Sequence, residues 1–233
     1  MSTSRRARLA VATTAAALTV VLTGCGVSGT GFQPGVAAQV DDRTVTTDRV
    51  DDIVGLYCGA LEEQLATDGS VVPLSYFRGG VAGQLALVLA AEQLADDYGV
   101  EPTTDYDRAV SGIESQTTEL PDDQREAVVE VETSGAYIGS VQLAVGQVLL
   151  AEEGVAEPTS EEAGQRGLGA YNEWLDAHEV TFNPEYGVTI KDGSLVAVDT
   201  QLSYPVGEAA KAGQADEPDP DYSGALPESQ RCG

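Results

Sequence analysis

Histidine is almost missing from this 233-residue chain, where His178 stands alone. A single imidazole excludes metal centres built from several His and catalysts that pair two rings. Basic residues are scarce as well, with 12 Lys and Arg against 38 Asp and Glu. A field of that sign repels phosphate backbones and anionic headgroups, which removes nucleic acid and acidic lipid surfaces as partners. The chain also lacks Cys-x-x-Cys, Gly-x-Ser-x-Gly, the Gly-x-x-x-x-Gly-Lys-Ser phosphate loop and the Asp-x-Asp-x-Asp-Gly calcium loop. Carboxylate neighbours such as Glu62/Glu63, Asp96/Asp97 and Glu152/Glu153 are adjacent in sequence. On a helix, adjacent side chains diverge by about 100°, so these pairs read as solvated faces rather than acid/base dyads. No constellation argues for an enzyme, and none implies a cofactor or a metal.

Charge is also absent between Arg8 and Asp41, and that gap carries the first positive signal. Arg5, Arg6 and Arg8 precede an uncharged run, Leu9 to Leu22, of mostly Ala, Val, Leu and Thr. The run is shorter than the roughly 20 residues that span a bilayer as a helix, and it has the order of a secretory signal. Leu22-Thr23-Gly24-Cys25 closes it and resembles the lipobox of bacterial lipoproteins. That resemblance implies cleavage before Cys25 and acylation of its thiol. The expected arrangement is a signal peptide over 1–24 and a lipid on Cys25 at the extracytoplasmic face of the cell membrane. An uncleaved anchor is the competing reading, and Gly24, Gly26, Gly29, Gly31 and Pro34 weigh against it as helix breakers.

Cleavage leaves 209 residues, enough for a sizeable core. Three of the 12 basic residues leave with the signal, so the remainder carries nine against 38 carboxylates, a net charge of −29. With Cys25 acylated, Cys58 and Cys232 are the two thiols left in an oxidising compartment, which predicts a disulfide between them. The competing reading is a buried free Cys58 and a loose Cys232. His178 falls at the end of a predicted helix, where a cation complements the carbonyl dipole, and needs no catalytic role.

Gly26 to Gly35 reads as a flexible tether, so the segment 25–35 joins lipid to domain. Ala37–Val40 and Arg43–Val45 flank Asp41-Asp42 and predict a small hairpin. Thr47 or Asp48 is placed to cap the helix that follows. Val50, Ile53, Val54, Tyr57, Cys58, Leu61 and Leu65 form its apolar stripe. A second helix is predicted over 74–98, stopped by Gly99, with Gly79, Gly80 and Gly83 weakening its first turns. A short helix follows over 105–115, and a long one runs from Pro121 to Gly154. Thr159-x-x-Glu162 is a capping box that opens a helix carrying Leu168, Tyr171, Trp174 and Leu175. Val180–Phe182 then reads as a strand, and Asp192-Gly193 marks a hairpin between Val188–Lys191 and Ser194–Val198. From about 205 to 230 the sequence is polar, rich in Asp, Glu and Pro, and without period, which predicts a disordered or loosely packed tail over 205–233.

Ala38-Gln39-Val40-Asp41-Asp42-Arg43-Thr44-Val45-Thr46 is similar to the Ala-x-Val-x-x-x-x-Ile-Thr hairpin that precedes the first helix in the SurA/PrsA family of extracytoplasmic folding factors. Val180-Thr181-Phe182-Asn183-Pro184-Glu185-Tyr186-Gly187 is similar to that family's Val-x-Val-Asn-Pro-Arg-Tyr-Gly segment, with Glu185 in place of Arg. The resemblance covers roughly residues 36–200. It implies a mainly α, SurA N-terminal or trigger-factor-like chaperone domain over 36–204, with a small hairpin or sheet from N- and C-terminal strands. The parvulin isomerase domain usual in the family has no room between Gly154 and Val180.

The function this implies is a non-catalytic holdase for secreted or envelope polypeptides. Its peptide groove is expected between helices and lined by Tyr76, Phe77, Tyr137 and Trp174, although ordinary core is the competing assignment for each. A dedicated adaptor of an envelope complex is the alternative. A solute-binding lipoprotein is a weaker one, because strands occur only near the ends of the chain.

Overall fold

A buried strand near the start of the domain organises both ends of the chain. In a computed structural model describing residues 34–198, 206–213, 215 and 219–233, Val36–Val40 forms β1, with Ala37, Ala38 and Val40 fully buried. Asp41 takes a left-handed φ of 51°, turning the chain into β2 (Arg43–Thr46). The other edge of β1 pairs with β4 (Val180–Phe182), about 140 residues later, in register Ala38↔Phe182 and Val40↔Val180. The sheet is antiparallel, in the order β2-β1-β4. The expected signal segment and Cys25 lie outside the described residues.

Helices supply most of the body. The first, α1 (Thr47–Asp68), is capped by Thr46, whose hydroxyl accepts from the Arg49 N–H at 3.2 Å. The sequence pointed to Thr47 or Asp48. Thr46 takes the role because it still has extended strand geometry, which a cap residue requires. The stripe of α1 faces inward through Val50, Ile53, Val54 and Tyr57. Next come α2 (Leu74–Tyr98), α3 (Thr104–Gln116) and α4 (Asp122–Glu152). At 31 residues α4 is about 46 Å long and touches α1, α2, α3 and α5. The capping box opens α5 (Ser160–Ala177), with the Thr159 N–H donating to Glu162 Oε2 and the Glu162 N–H to Thr159 Oγ1. Ile53, Leu94, Val141, Val145 and Tyr171 meet in one core, where the Tyr171 hydroxyl donates to the Leu87 carbonyl. The protein is thus mainly helical, with small antiparallel sheets from N- and C-terminal strands. By length and composition alone α2 and α4 could cross a membrane, and here both contribute buried faces to this core.

After β4, a short 3-10 turn (Pro184–Tyr186) leads into β5 (Val188–Lys191) and β6 (Ser194–Ala197). Asp192 and Gly193, both left-handed, form the two-residue turn between them. The tail differs from the sequence expectation. Its described residues hold α6 (Glu208–Ala212), α7 (Pro220–Ala225) and β7 (Arg231–Cys232), which pairs with β3 (Val72–Pro73). Asp219 caps α7 by accepting from the Tyr222 N–H, and Ser223 and Cys232 are buried. No apolar period announces these pieces, because a cap, a two-residue ladder and a covalent bond hold them rather than an amphipathic face. Cys58 and Cys232 are joined, with Cα atoms 5.7 Å apart, inside the range a disulfide spans.

Candidate functional site

The larger concavity, a groove of about 840 Å³, lies where the C-terminal hairpin crosses the first turns of α2. Its geometry begins with two glycines. A Cβ on Gly79 would sit 2.8 Å from the Tyr186 carbonyl oxygen, and one on Gly83 would sit 2.3 Å from the Leu195 methyls. Small residues on this face of α2 let the Tyr186 carbonyl and the Leu195 side chain approach closely, which answers why the helix keeps glycines that lower its propensity. Arg78 ties the same corner together. Its Nε donates to Asp51 Oδ1 at 2.8 Å, its Nη2 lies 3.6 Å from Glu185 Oε1, and its guanidinium sits 5.3 Å from the Tyr186 ring centre. A cation over an aromatic face is attractive, so α1, α2 and the turn before β5 are held as one corner.

Aromatic rings give the groove its character. Tyr57 and Phe77 meet edge to face with centroids 5.7 Å apart, and the Tyr57 hydroxyl donates to Glu132. Burial, reinforced by that carboxylate, pushes the Tyr57 hydroxyl far above the ordinary tyrosine range. Tyr76 is 50% exposed on the rim, and Tyr186 and Tyr222 complete the wall. Burial raises Tyr186 to about 12, against the opposing pull of Arg78. The Tyr57 and Tyr186 hydroxyls therefore stay neutral at physiological pH. Tyr76, Phe77 and Tyr222 offer apolar ring surface to the groove, suited to polypeptide rather than to an ion.

A second, smaller cleft of about 360 Å³ lies among α2, α3 and α4. Tyr106 and Tyr137 stand edge to face in it, 5.2 Å apart, beside Glu92, Glu126 and Arg125. Burial raises Glu92, partly offset by Arg43, and raises Tyr137 to about 12.

The four aromatics expected in one groove are therefore separated. Tyr76 and Phe77 line the larger groove, and Tyr137 lines the smaller cleft. Trp174 lines neither. It is 7% exposed, donates from Nε1 to Asp97 Oδ2 at 2.9 Å, and stacks on His178 at 3.8 Å. Its helical spacing placed it on the core side of α5, and a polar partner for its N–H completes a structural role. His178 caps the end of α5 and binds Asp41 Oδ2 through Nδ1, so it clamps the β1–β2 turn to that helix. The Asp41 carboxyl is lowered by this bond and, further, by the Glu179 N–H. Tyr57, Tyr186 and Tyr222 were missed as site residues. The signal available for Tyr186 was its place in Asn-Pro-x-Tyr-Gly, directly before a strong hairpin. Among the described residues no three His, Cys, Asp or Glu side chains converge on a metal position. No protein-family profile, curated protein or solved structure matches the chain.

Proposed function

We propose that this protein is a non-catalytic holdase, fixed by an acylated Cys25 to the outer face of the cell membrane, that grips unfolded stretches of secreted or envelope proteins. The observation that carries the reading is the aromatic groove, an open trough of about 840 Å³ in which Tyr76, Phe77 and Tyr222 line the wall over the buried rings of Tyr57 and Tyr186. Rigid rings with polar edges contact many sequences with little loss of side-chain entropy, which suits a binder without a fixed client. The lipobox and the Cys58–Cys232 bridge support an oxidising, extracytoplasmic setting.

The test is suppression of aggregation. Light scattering from a heat-unfolded reporter enzyme should fall when the mature protein is added at equal concentration. Tyr76→Asp should lose most of that effect while keeping the wild-type circular dichroism. A protein that leaves several unrelated reporters to aggregate, yet recovers one stoichiometric envelope partner after crosslinking, is an adaptor instead. Cys25→Ala should move the protein from membrane to soluble fractions.

A further inference from the structure

We infer that the outer edge of β6 takes up an extended client segment as an added antiparallel strand, and that the favoured segments are flanked by Lys or Arg. This rests on the holdase reading and supplies its mode of grip.

The register of the hairpin fixes which backbone groups point away from it. The Val198 N–H donates to the Gly187 carbonyl at 2.8 Å, making Gly187/Val198 a hydrogen-bonded pair. Pairs alternate in an antiparallel ladder, so Thr189/Val196 and Lys191/Ser194 are hydrogen-bonded too. Leu195 and Ala197 occupy the other positions, opposite Ile190 and Val188, and aim their N–H and C=O groups away from β5. Among the described residues no third strand pairs there. An edge of this kind is a template for another chain unless it is blunted by charge, proline or a bulge. The β6 sequence, Ser-Leu-Val-Ala, carries none of these.

This edge also borders the groove. Leu195, Val196 and Ala197 line it together with Tyr76 and Phe77. A strand added about 4.8 Å beyond β6 would run along the trough and turn alternate side chains toward the rings. Gln84 adds a polar reason for an occupant, because its Oε1 is buried in the groove wall without a hydrogen-bond partner. A buried acceptor left unpaired costs free energy that a donor on the incoming segment removes. Charge selects among segments. With nine basic residues against 38 acidic ones in the mature chain, Lys or Arg flanks are drawn in and acidic flanks repelled. Such attraction weakens with salt.

The experiment is fluorescence anisotropy on the mature protein with a labelled peptide of alternating Val and Thr flanked by two Lys at each end. Ala197→Pro removes one outward N–H and leaves the β5–β6 ladder intact. It should weaken binding at least five-fold without lowering Tm by more than a few degrees. The second arm leaves the protein unchanged. N-methylating the peptide amides of one phase should abolish binding, and N-methylating the alternate phase should preserve it. Replacing the flanking Lys with Glu should weaken binding at least ten-fold at low salt. Equal affinity for Ala197→Pro and for both N-methylated phases overturns the strand addition while the holdase reading survives, since the peptide still binds. Equal affinity for Lys and Glu flanks overturns the charge preference. If the wild type binds no peptide and suppresses no aggregation, both readings fall.

Discussion

Replacing both Cys58 and Cys232 with Ala tests how the C-terminal segment is held. The bond closes a loop with a sequence separation of 174, and chain-entropy arguments credit such a loop with about 5 kcal/mol at 25 °C. That figure is a ceiling, reached only where the tail stays docked once the bond is gone. Besides the bond, residues 219–233 are held by the buried Ser223, by two residue pairs between β7 and β3 and by Tyr222 in the groove wall, whereas the Arg231 guanidinium donates to the Gly224 carbonyl inside the segment itself. Ordering each of these residues costs on the order of 1 kcal/mol or more, so without the bond the tail should leave. Leaving recovers part of the loss, and the expected destabilisation is about 2–4 kcal/mol. With a urea m-value of roughly 2 kcal/mol/M, the midpoint should fall by about 1–2 M. Hydrogen exchange should show the amides of residues 219–233 and of Val72 unprotected in the variant while β1 and α4 stay protected. An unchanged midpoint, or an unreduced digest of native protein in which both thiols are free, would refute the reasoning.

Gly79→Val should place a methyl-bearing carbon against the Tyr186 carbonyl, cost about 1–3 kcal/mol and lift the hairpin from α2; thermal melts and loss of peptide affinity with unchanged helical ellipticity would check it. Glu92 is raised by burial, so the folded state favours its protonated form and loses stability as pH rises through the raised value. Glu92→Gln should therefore be more stable than wild type at pH 7 and no different at pH 4, read from urea midpoints. Asp41 is lowered by its bond to His178, so its contribution is present above the ordinary value of 3.8 and is lost as pH falls through the depressed one. Asp41→Asn should cost roughly 0–1 kcal/mol at pH 6–7, as for a partly solvated pair, and nothing near pH 2.

Local signals made most of the elements readable. The stripe of α1, the capping box at Thr159, the glycine stop at Gly99 and the Asp192-Gly193 turn each act within a few residues, and each element is found where its signal lies. What stayed hidden was long-range. Nothing local ties Val40 to Val180, nor assigns the glycines of α2 to the underside of a hairpin 110 residues away. The groove suffered most from this. Tyr76 and Phe77 were found because they begin an apolar helix, whereas Tyr222 reaches the same wall from a tail whose composition resembles disorder. Trp174 misled because size and aromaticity do not say whether a ring faces a partner or a core.

One property of α2 links the fold to what it could grip. A helix with bulky residues in its first turns would hold the hairpin at the usual helix–sheet distance and fill the space between them. Gly79 and Gly83 instead seat the Tyr186 carbonyl and the Val188 and Leu195 side chains directly against the helix surface. The larger rings, Tyr57, Tyr76 and Phe77, are displaced to the flank, where they form a wall without closing the trough. Among the described residues, β6 is the last strand of its sheet. A larger residue at position 79 or 83 would therefore disturb three things together: the seat of the hairpin, the depth of the trough and the placement of the open edge. Variants at these two glycines should lose hairpin protection and peptide affinity in proportion to each other, whereas variants at Tyr76 should lose affinity alone.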